Sequence, residues 1–258
     1  MEVVEMLLTV YITLVVAAGG LALWAAGAPD PTIGGLPLLF WLLANLLGEL
    51  LWLPAPKGRG YLSMANAANF ATLILLPASS AVLVTATGGA LADLIFRRRS
   101  WDRALFNFGM CAVTVSVSSL VFRNSGGLGT NIDSLLSPLN AVPLLAAAIT
   151  YFLINTGLVS GVIALHQGQS VREVWRESFA FSYELVGATV LMLLGYLFAI
   201  LFLTWGYMSA FIAVIATYFI RDAYVRYVTG TQAATSVVVE QKPSAARGAA
   251  TSADRRVS

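Results

Sequence analysis

The chain has 258 residues, of which 58% are hydrophobic and only 11% are charged, and its formal net charge is +2. A soluble domain carries roughly a quarter of charged residues, so a chain this apolar needs lipid to cover its surface. The composition therefore excludes an ordinary soluble domain, and the small net charge gives no indication of a nucleic-acid partner.

Eight apolar segments follow one another along the chain and predict an all-α, polytopic helical membrane bundle. They cover approximately residues 3–26, 36–53, 62–76, 79–96, 104–122, 141–165, 185–204 and 208–220. The third and fourth segments are short: ~15 residues make ~22 Å of helix, which is less than the ~30 Å hydrocarbon core. They are predicted to form either a thin hairpin of two tilted spans or a re-entrant pair. Because Glu2 and Glu5 occupy the N-terminal region that is positively charged in a signal peptide, we expect the first segment to be an uncleaved span.

The basic residues predict the orientation of the bundle. With eight crossings and a cytoplasmic N-terminus, fourteen of the 15 lysines and arginines fall on the cytoplasmic side, and only Arg123 falls outside. Merging the third and fourth segments into one crossing would misplace Lys57 and Arg59, so the distribution favours the hairpin. The sequence thus predicts a multi-pass protein of the bacterial inner membrane with both termini inside the cell.

Two further regions are predicted outside the spans. Ser170 and Glu173 match a capping box, and the following residues 171–179 place apolar side chains on one face and charged side chains on the other, which is typical of a short interfacial helix. After a transmembrane domain at 1–228, residues 229–258 are small and polar and are predicted to form a disordered cytoplasmic tail.

Polar residues within the apolar segments are the candidate functional residues. Polar groups in lipid are expensive and are expected to face the protein interior or water. In the predicted orientation they gather near the cytoplasmic leaflet and predict one inward-facing cluster, formed by Glu49, Asn66, Asn69, Asp93, Asn107, Asn155 and Glu184. A basic patch at the same level, which either fixes the topology or contacts a partner, consists of Arg97, Arg98, Arg99, Arg103, Arg172 and Arg176.

Simpler structural roles compete with a functional role for these side chains. Asp93 lies four residues before Arg97, a spacing that predicts an ion pair at a helix end. Glu49 is placed to extend toward Lys57 or Arg59. The asparagines are more often hydrogen-bonded links between helices than ligand-binding groups.

The sequence gives no positive indication of catalysis or of a metal or cofactor. It lacks a P-loop, an HExxH motif and paired cysteines, and the single histidine, His166, has no second ligand nearby. The single Cys111 is expected to pack as a small hydrophobic residue. We therefore predict a protein that is not an enzyme; Glu49 and Asp93 are the only candidates for a catalytic carboxylate pair.

Several short strings resemble a known family. A polar-started span from Leu62 is followed by a proline break, by ALADL, by a basic turn with Trp101 and by ALFN, and later come YFLINTGLVSGVIAL and VREVWRES. Together, over about residues 36–228, they resemble the multi-pass N-terminal sensor module of bacterial cyclic-di-GMP signalling proteins of the GGDEF or HD-GYP type. The resemblance implies a membrane sensor, and because the chain shows no output domain we expect a stand-alone sensor or a partner subunit.

A looser resemblance connects the hairpin and its asparagines with the substrate-binding subunits of energy-coupling-factor vitamin transporters. It implies that the stripe of Ala81, Thr85 and Gly89 docks on a scaffold. The main prediction is a non-catalytic sensor or scaffold module that couples to a cytoplasmic partner. The alternative is a transporter subunit whose solute cavity is lined by Glu49, Asn66, Asn69, Asn107 and Asn155.

Overall fold

A computed structural model describes residues 2–54, 61–129, 131–179 and 183–227. The long helices are α1 (Glu2–Ala26), α2 (Gly35–Leu50), α3 (Ala65–Leu75), α4 (Ala78–Leu91), α5 (Trp101–Asn124), α7 (Ala141–Gln167), α9 (Tyr183–Trp205) and α10 (209–227). Short elements join them: strands β1 (Trp52–Pro54) and β2 (Tyr61–Ser63), a π-helical turn (Ala92–Phe96), α6 (Ile132–Leu136), α8 (Val171–Ser178) and 3₁₀ turns at Pro138–Asn140 and Gly206–Met208.

The predicted all-α fold is confirmed, and each of the eight apolar segments overlaps a helix of the described residues. The number of membrane crossings stays a prediction. Among the described residues, five helical stretches are long and apolar enough to cross a membrane: Val3–Ala26, Ala78–Phe96, Trp101–Asn124, Pro138–Gln167 and Leu185–Tyr227. The second segment ends earlier than expected, because the chain leaves the helix after Leu50 and enters a small antiparallel hairpin in which Trp52 pairs with Ser63. The chain is an integral membrane protein by this architecture and composition.

Local sequence signals mark the ends of several helices. Pro77 separates α3 from α4, because proline has no amide hydrogen to continue the hydrogen bonds of α3. Gly168 ends α7 in the left-handed conformation, with φ of 67°. The capping box predicted at Ser170 and Glu173 begins α8 and has both of its reciprocal hydrogen bonds.

Contacts between helices show that α2 to α5 run in alternate directions. Glu49, in the last turn of α2, pairs with Arg97, which follows α4. At the other extreme, the carbonyl of Leu76 after α3 accepts a hydrogen bond of 2.6 Å from Arg123 in the last turn of α5. The bundle therefore has two ends, which we name the Arg97 end and the Arg123 end, and α3 and α4 form a hairpin whose turn lies at the Arg123 end.

The other helices follow the same alternation. Leu8 of α1, Arg103 of α5 and His166 of α7 line one groove, so α1 begins and α7 ends at the Arg97 end. Tyr224, near the end of α10, packs beside Met64 at the start of α3. Because α9 begins close to the polar residues of the Arg97 end and α10 returns there, these two helices form a second antiparallel pair.

The core contains a cluster of aromatic side chains and, at other places, small residues where helices cross. Trp41 is fully buried and contacts Phe40, Phe198 and Phe202, with ring centroids 5.0–5.1 Å away. Elsewhere glycines allow backbones to touch. A Cβ on Gly48 would lie 2.6 Å from the Cα of Ala65, on Gly19 2.5 Å from the Cα of Gly109, and on Gly195 2.5 Å from the carbonyl oxygen of Ala67.

The small-residue stripe on α4 has a different role from the docking role that the transporter resemblance implied. Ala81 and Thr85 are buried, and a Cβ on Gly89 would lie 3.1 Å from the Asn107 amide nitrogen of α5. The stripe packs inside the bundle, so that docking expectation is wrong. Of the GxxxG glycines of α7, Gly161 contacts Tyr11 of α1, whereas Gly157 faces open space.

Some sequence predictions fall on residues outside the described ranges. These are the basic residues Lys57 and Arg59 between the two strands and the polar tail at 229–258. Their predicted roles stay predictions.

Candidate functional site: a polar cavity at the Arg97 end

A cluster of ion pairs surrounds Arg97. Its Nη2 donates to the Glu49 carboxylate over 2.6 Å and to the Glu49 carbonyl over 2.8 Å, and its Nη1 donates to Asp93 over 2.9 Å. The three side chains are largely removed from solvent, with exposed fractions of 13% for Arg97, 9% for Glu49 and 0% for Asp93. This guanidinium therefore joins the end of α2 to the end of α4 through buried charge-assisted hydrogen bonds.

The backbone around the cluster departs from regular α-helix. The turn Ala92–Phe96 is π-helical, and the Arg97 amide donates to the Ala92 carbonyl, five residues earlier. Arg98 then takes a positive φ of 49°, which is uncommon for a residue other than glycine. Such π turns widen the helix and are frequent at functional sites. Here the turn ends the helix and lets both Arg97 and Arg99 approach Asp93, with 3.4 Å between Arg99 Nη1 and the carboxylate.

A cavity of about 310 Å³ lies beside this cluster, enclosed by residues of α2, α3, α5, α7, α8 and α9. Its polar lining includes Glu49, Ser63, Asn66, Asn69, Arg97, Arg99, Asn107, Thr114, Tyr151, Asn155, Thr156 and Ser178. Its apolar lining includes Met110, Cys111, Phe152, Val159, Ile163, Phe179, Ala188 and Met192. Polar side chains outnumber apolar ones in this lining, and the volume lies at the lower end of the range for small-molecule sites.

Tyr151 organises the amides on one wall of the cavity. Its hydroxyl donates to Asn66 Oδ1 over 3.1 Å and accepts from Asn69 Nδ2 over 2.9 Å. Both asparagines lie on α3 and the tyrosine on α7, so the network links two helices that are far apart in sequence. The Asn69 side chain is left with an unpartnered Oδ1, although the residue is only 3% exposed.

The wall contributed by α5 carries a second unpartnered polar atom. Thr114 is 1% exposed, and its hydroxyl has no hydrogen-bond partner. One turn earlier, the Cys111 thiol lies 3.7 Å from Asn107 Oδ1, within the range of a weak sulfur hydrogen bond. The cysteine is buried within the hydrophobic core, as the sequence predicted, and it also contributes to the lining of the cavity.

The short helix α8 packs beside the cavity. Val174 is buried, and Trp175 Nε1 donates to the Thr156 hydroxyl of α7 over 2.9 Å. On the opposite face, the hydrogen bond from Ser170 lowers the pKa of the Glu173 carboxyl. The amphipathic helix predicted from the sequence is therefore present, with its apolar face against α7, and residues 178 and 179 at its end reach the cavity lining.

The structure brings most of the predicted polar residues together. Glu49, Asn66, Asn69, Asn107 and Asn155 all line the one cavity, and Asp93 lies behind it in the ion-pair cluster. The backbone of Glu184 belongs to α9, but its side chain is not among the described parts of the structure.

The predicted basic patch divides into two groups. Arg97 and Arg99 take part in the ion-pair cluster, whereas the remaining members are exposed at the same end: Arg98 and Arg103 near the start of α5, and Arg172 and Arg176 on α8.

Five polar residues of the cavity lining were not predicted from the sequence: Ser63, Thr114, Tyr151, Thr156 and Ser178. Tyr151 and Thr114 hold polar atoms in the middle of apolar segments, which is the signal that could have revealed them. Within the described residues, no group of three or more His, Cys, Asp or Glu side chains is arranged to hold a metal ion.

Comparison with known families gave one match. The sequence profile of MASE9, a family of membrane-associated sensory domains, matches residues 64–227, which is more than half of the chain and includes every helix from α3 onward. No match was found among curated proteins or among solved structures.

Proposed function

Because the chain belongs to the MASE9 family of membrane-associated sensory domains, we propose that it is a non-catalytic sensor module of the bacterial inner membrane that couples to a cytoplasmic partner. The observation that carries the proposal is the shared position of the polar cavity and of the exposed basic surface. Both lie at the Arg97 end of the bundle, and the segments that line the cavity also carry the basic surface.

Two elements connect the cavity with this surface. Arg97 lines the cavity and is followed directly by the exposed Arg98, so its ion pairs with Glu49 and Asp93 fix the turn that carries the basic surface. The helix α8 carries Arg172 and Arg176 on its exposed face and ends at Phe179 in the cavity wall. A change of occupancy in the cavity would thereby act on both parts of the surface, as a population shift between two arrangements requires.

The partner is proposed to be cytoplasmic because the Arg97 end collects the basic residues that the positive-inside rule assigns to the cytoplasm. The strings from Leu62 to Asn107 resemble sensor modules of GGDEF and HD-GYP proteins, and this resemblance supports a cyclic-di-GMP enzyme as that partner. The exposed arginines of the basic surface suit acidic protein surfaces and also the phosphate groups of lipids.

Site-specific cross-linking tests the coupling. A photoreactive amino acid at position 103 or position 176 should capture the same cytoplasmic protein in intact cells, because both positions are exposed at the Arg97 end. The matched control is Leu139, which is 87% exposed in the loop at the Arg123 end and should capture none. Capture of a cyclic-di-GMP enzyme would support the finer proposal; equal capture of one protein from both ends would contradict the coupling.

Neutralising the basic surface gives a second readout. Replacing Arg98, Arg103, Arg172 and Arg176 by Gln should weaken the captured complex while Arg97 keeps the cavity intact. A C-terminal fluorescent-protein fusion, which becomes fluorescent only in the cytoplasm, reports whether the variant is correctly inserted. Undiminished capture by a correctly inserted variant would show that the arginines serve only the topology.

One observation favours a second candidate, a transporter subunit. Glu49, Asn66, Asn69, Asn107 and Asn155 surround one cavity, as a solute site requires. A transporter must open that cavity to both sides of the membrane, whereas a sensor need open it to only one. The single Cys111 in the cavity wall separates the two, since a membrane-impermeant thiol reagent added outside the cells should reach it only in a transporter.

A further inference from the structure

We propose that the groove between α1, α5 and α7 binds one glycerophospholipid, with an acyl chain between the helices and the phosphate on the guanidinium of Arg103. The groove lies beside the polar cavity, and the inference goes beyond the proposed function and does not depend on it. Three observations support it: the position of the groove, the division of its lining into apolar walls and a polar rim, and the surroundings of Arg103.

The groove opens at one end of the bundle and is closed toward the middle. Its volume is about 460 Å³, and Arg103 lines it at the Arg97 end. Near its other end the Tyr11 hydroxyl of α1 donates to the Leu158 carbonyl of α7 over 3.0 Å, which bridges the two helices. The Tyr11 ring also lies beside Phe106 of α5, with ring centroids 6.3 Å apart. A chain that enters the groove from the Arg97 end is therefore enclosed by three helices.

The lining of the groove changes in character along its length. The walls are apolar and half-buried and consist of Leu8, Ile12, Phe106, Met110, Val159, Val162 and Ile163. The rim lies in the π turn and the loop after it, the first two turns of α5 and the last turn of α7, and consists of Asp93, Arg99, Asp102, Arg103, Asn107, His166 and Gln167. Basic pockets between transmembrane helices at the membrane surface bind lipid headgroups.

Arg103 is the cation of the rim that can receive a phosphate. It is exposed and makes no ion pair with any of the described residues. Arg99, in contrast, already lies 3.4 Å from the Asp93 carboxylate. A guanidinium presents several donors in one plane and binds two phosphate oxygens at once. The exposed His166, on α7, can supply one more hydrogen bond from the other side of the groove.

The charges of the rim favour a lipid over a free anion. Arg99 and Arg103 are matched by Asp93 and Asp102, so the rim has no formal excess of positive charge that would concentrate small anions from solution. A lipid needs no such attraction, because its acyl chains already hold its phosphate at the membrane surface. Trp101, which is 70% exposed at the start of α5, belongs to the residue type enriched at that surface and places the rim at the same level.

Lipid titration followed by native mass spectrometry tests the proposal. The full chain, purified in a non-ionic detergent, is titrated with dioleoyl phosphatidylglycerol or with dioleoylglycerol, which has the same chains and no phosphate. The apparent dissociation constant should be at least about tenfold lower for the phospholipid, as one charge-assisted hydrogen bond provides. Equal constants would mean that the protein retains only unselected surrounding lipid, and would overturn the proposal.

A competition experiment separates the lipid from a free phosphate. Excess glycerol phosphate carries the same phosphate group but has no chain for the apolar walls, so the bound phosphatidylglycerol should stay in place. Displacement of the lipid by glycerol phosphate would show a site for soluble phosphates, and it would contradict the assignment of the groove to a lipid.

A charge variant locates the phosphate. Arg103→Gln should raise the dissociation constant of phosphatidylglycerol about tenfold and leave that of dioleoylglycerol unchanged. Arg172→Gln is the matched control, because it also removes one exposed arginine at the Arg97 end but lies on α8, outside the groove lining. Equal effects of the two substitutions, whether large or absent, would overturn the site, since they would indicate general attraction to the basic surface or no role for the arginine.

A steric variant tests the acyl-chain part of the groove. Val162→Trp fills the space between α1 and α7 and should abolish the phospholipid complex while every arginine is retained. Leu153→Trp adds the same side chain on the same helix, at a position that is 49% exposed and outside the groove, and should retain the complex. Equal retention by both variants would contradict the proposal. The proposed function remains separately testable, since protein capture from position 176 is measured without any lipid titration.

Discussion

Arg97 is the residue on which the site depends most directly, because it is the cation between two buried carboxylates. Asp93 lies in the π turn that Arg97 follows, whereas Glu49 lies at the end of α2 and is paired with Arg97 across the bundle. A buried ion pair adds little stability when compared with apolar residues in its place, but removal of one partner leaves an uncompensated charge. The arginine is therefore expected to be required for folding and also for the shape of the cavity wall.

Replacing this arginine should be strongly destabilising. Arg97→Gln leaves Glu49 buried without its cation and leaves Asp93 with Arg99 alone, at 3.4 Å, and we expect the free energy of unfolding to fall by about 3–5 kcal/mol. Unfolding by SDS titration in detergent micelles measures the change. Arg98→Gln is the matched control: this neighbour is exposed, and its loss should change the free energy by less than about 0.5 kcal/mol. Equal effects of the two substitutions would contradict the assigned role.

Sequence reasoning at this scale succeeded where partners are close along the chain. The spacing of Asp93 and Arg97 by four residues predicted their ion pair, and the structure contains it. The bond from Arg97 to Glu49 joins residues 48 positions apart. No local periodicity encodes such a contact, and the sequence therefore predicted that Glu49 extends toward Lys57 or Arg59, which lie outside the described residues.

Among the elements, α1 packs mainly against α5 and also contacts α7. Only 11% of its most apolar 18-residue stretch is buried inside the protein. Glycines allow its closest approach to α5. A Cβ on Gly19 would lie 2.5 Å from the Cα of Gly109, and a Cβ on Gly109 would lie 2.7 Å from the carbonyl oxygen of Val15. Both obstacles are backbone atoms, which cannot move aside as the end of a flexible side chain can.

Adjacent glycines provide a test of this contact. Gly19→Val should separate α1 from α5 and lower the free energy of unfolding by about 1–3 kcal/mol, the usual effect of overpacking. Gly20→Val adds the same side chain one position later, where nothing lies within 4 Å, and should have little effect. SDS titration of both variants measures the difference. Two equally destabilised proteins would indicate a helix-propensity effect and not a close crossing.

The sequence predicted the presence of the helices better than their local geometry. All eight apolar segments became helices because continuous hydrophobic runs bounded by Pro and Gly are strong signals. The capping box of α8 was predicted for the same reason, since its two residues are three positions apart. The π turn at Ala92–Phe96 was not predicted, because it arises where Asp93 and Arg97 must meet a glutamate on another helix.

For the whole molecule, two independent lines of reasoning agree on a common polarity. The positive-inside rule groups the basic residues on one side of a membrane, and the contacts between helices place the polar cavity, α8 and the exposed arginines at one end of the bundle. The Arg123 end instead carries apolar residues such as Leu139 and the exposed Trp24. What the sequence could not provide is the cavity itself, which exists only where side chains from six helices converge.

The orientation of this polarity can be tested by cysteine labelling in a Cys111→Ala background. Ser100→Cys and Glu177→Cys lie exposed at the Arg97 end, whereas Ala28→Cys and Leu139→Cys lie exposed at the Arg123 end, and none of the four removes a basic residue. A membrane-impermeant maleimide should label the second pair in intact cells and the first pair only after permeabilisation. Labelling of position 100 or 177 from outside would place the Arg97 end in the periplasm. The basic surface could then not meet a cytoplasmic partner, and the cavity would sample signals from inside the lipid or the periplasm instead.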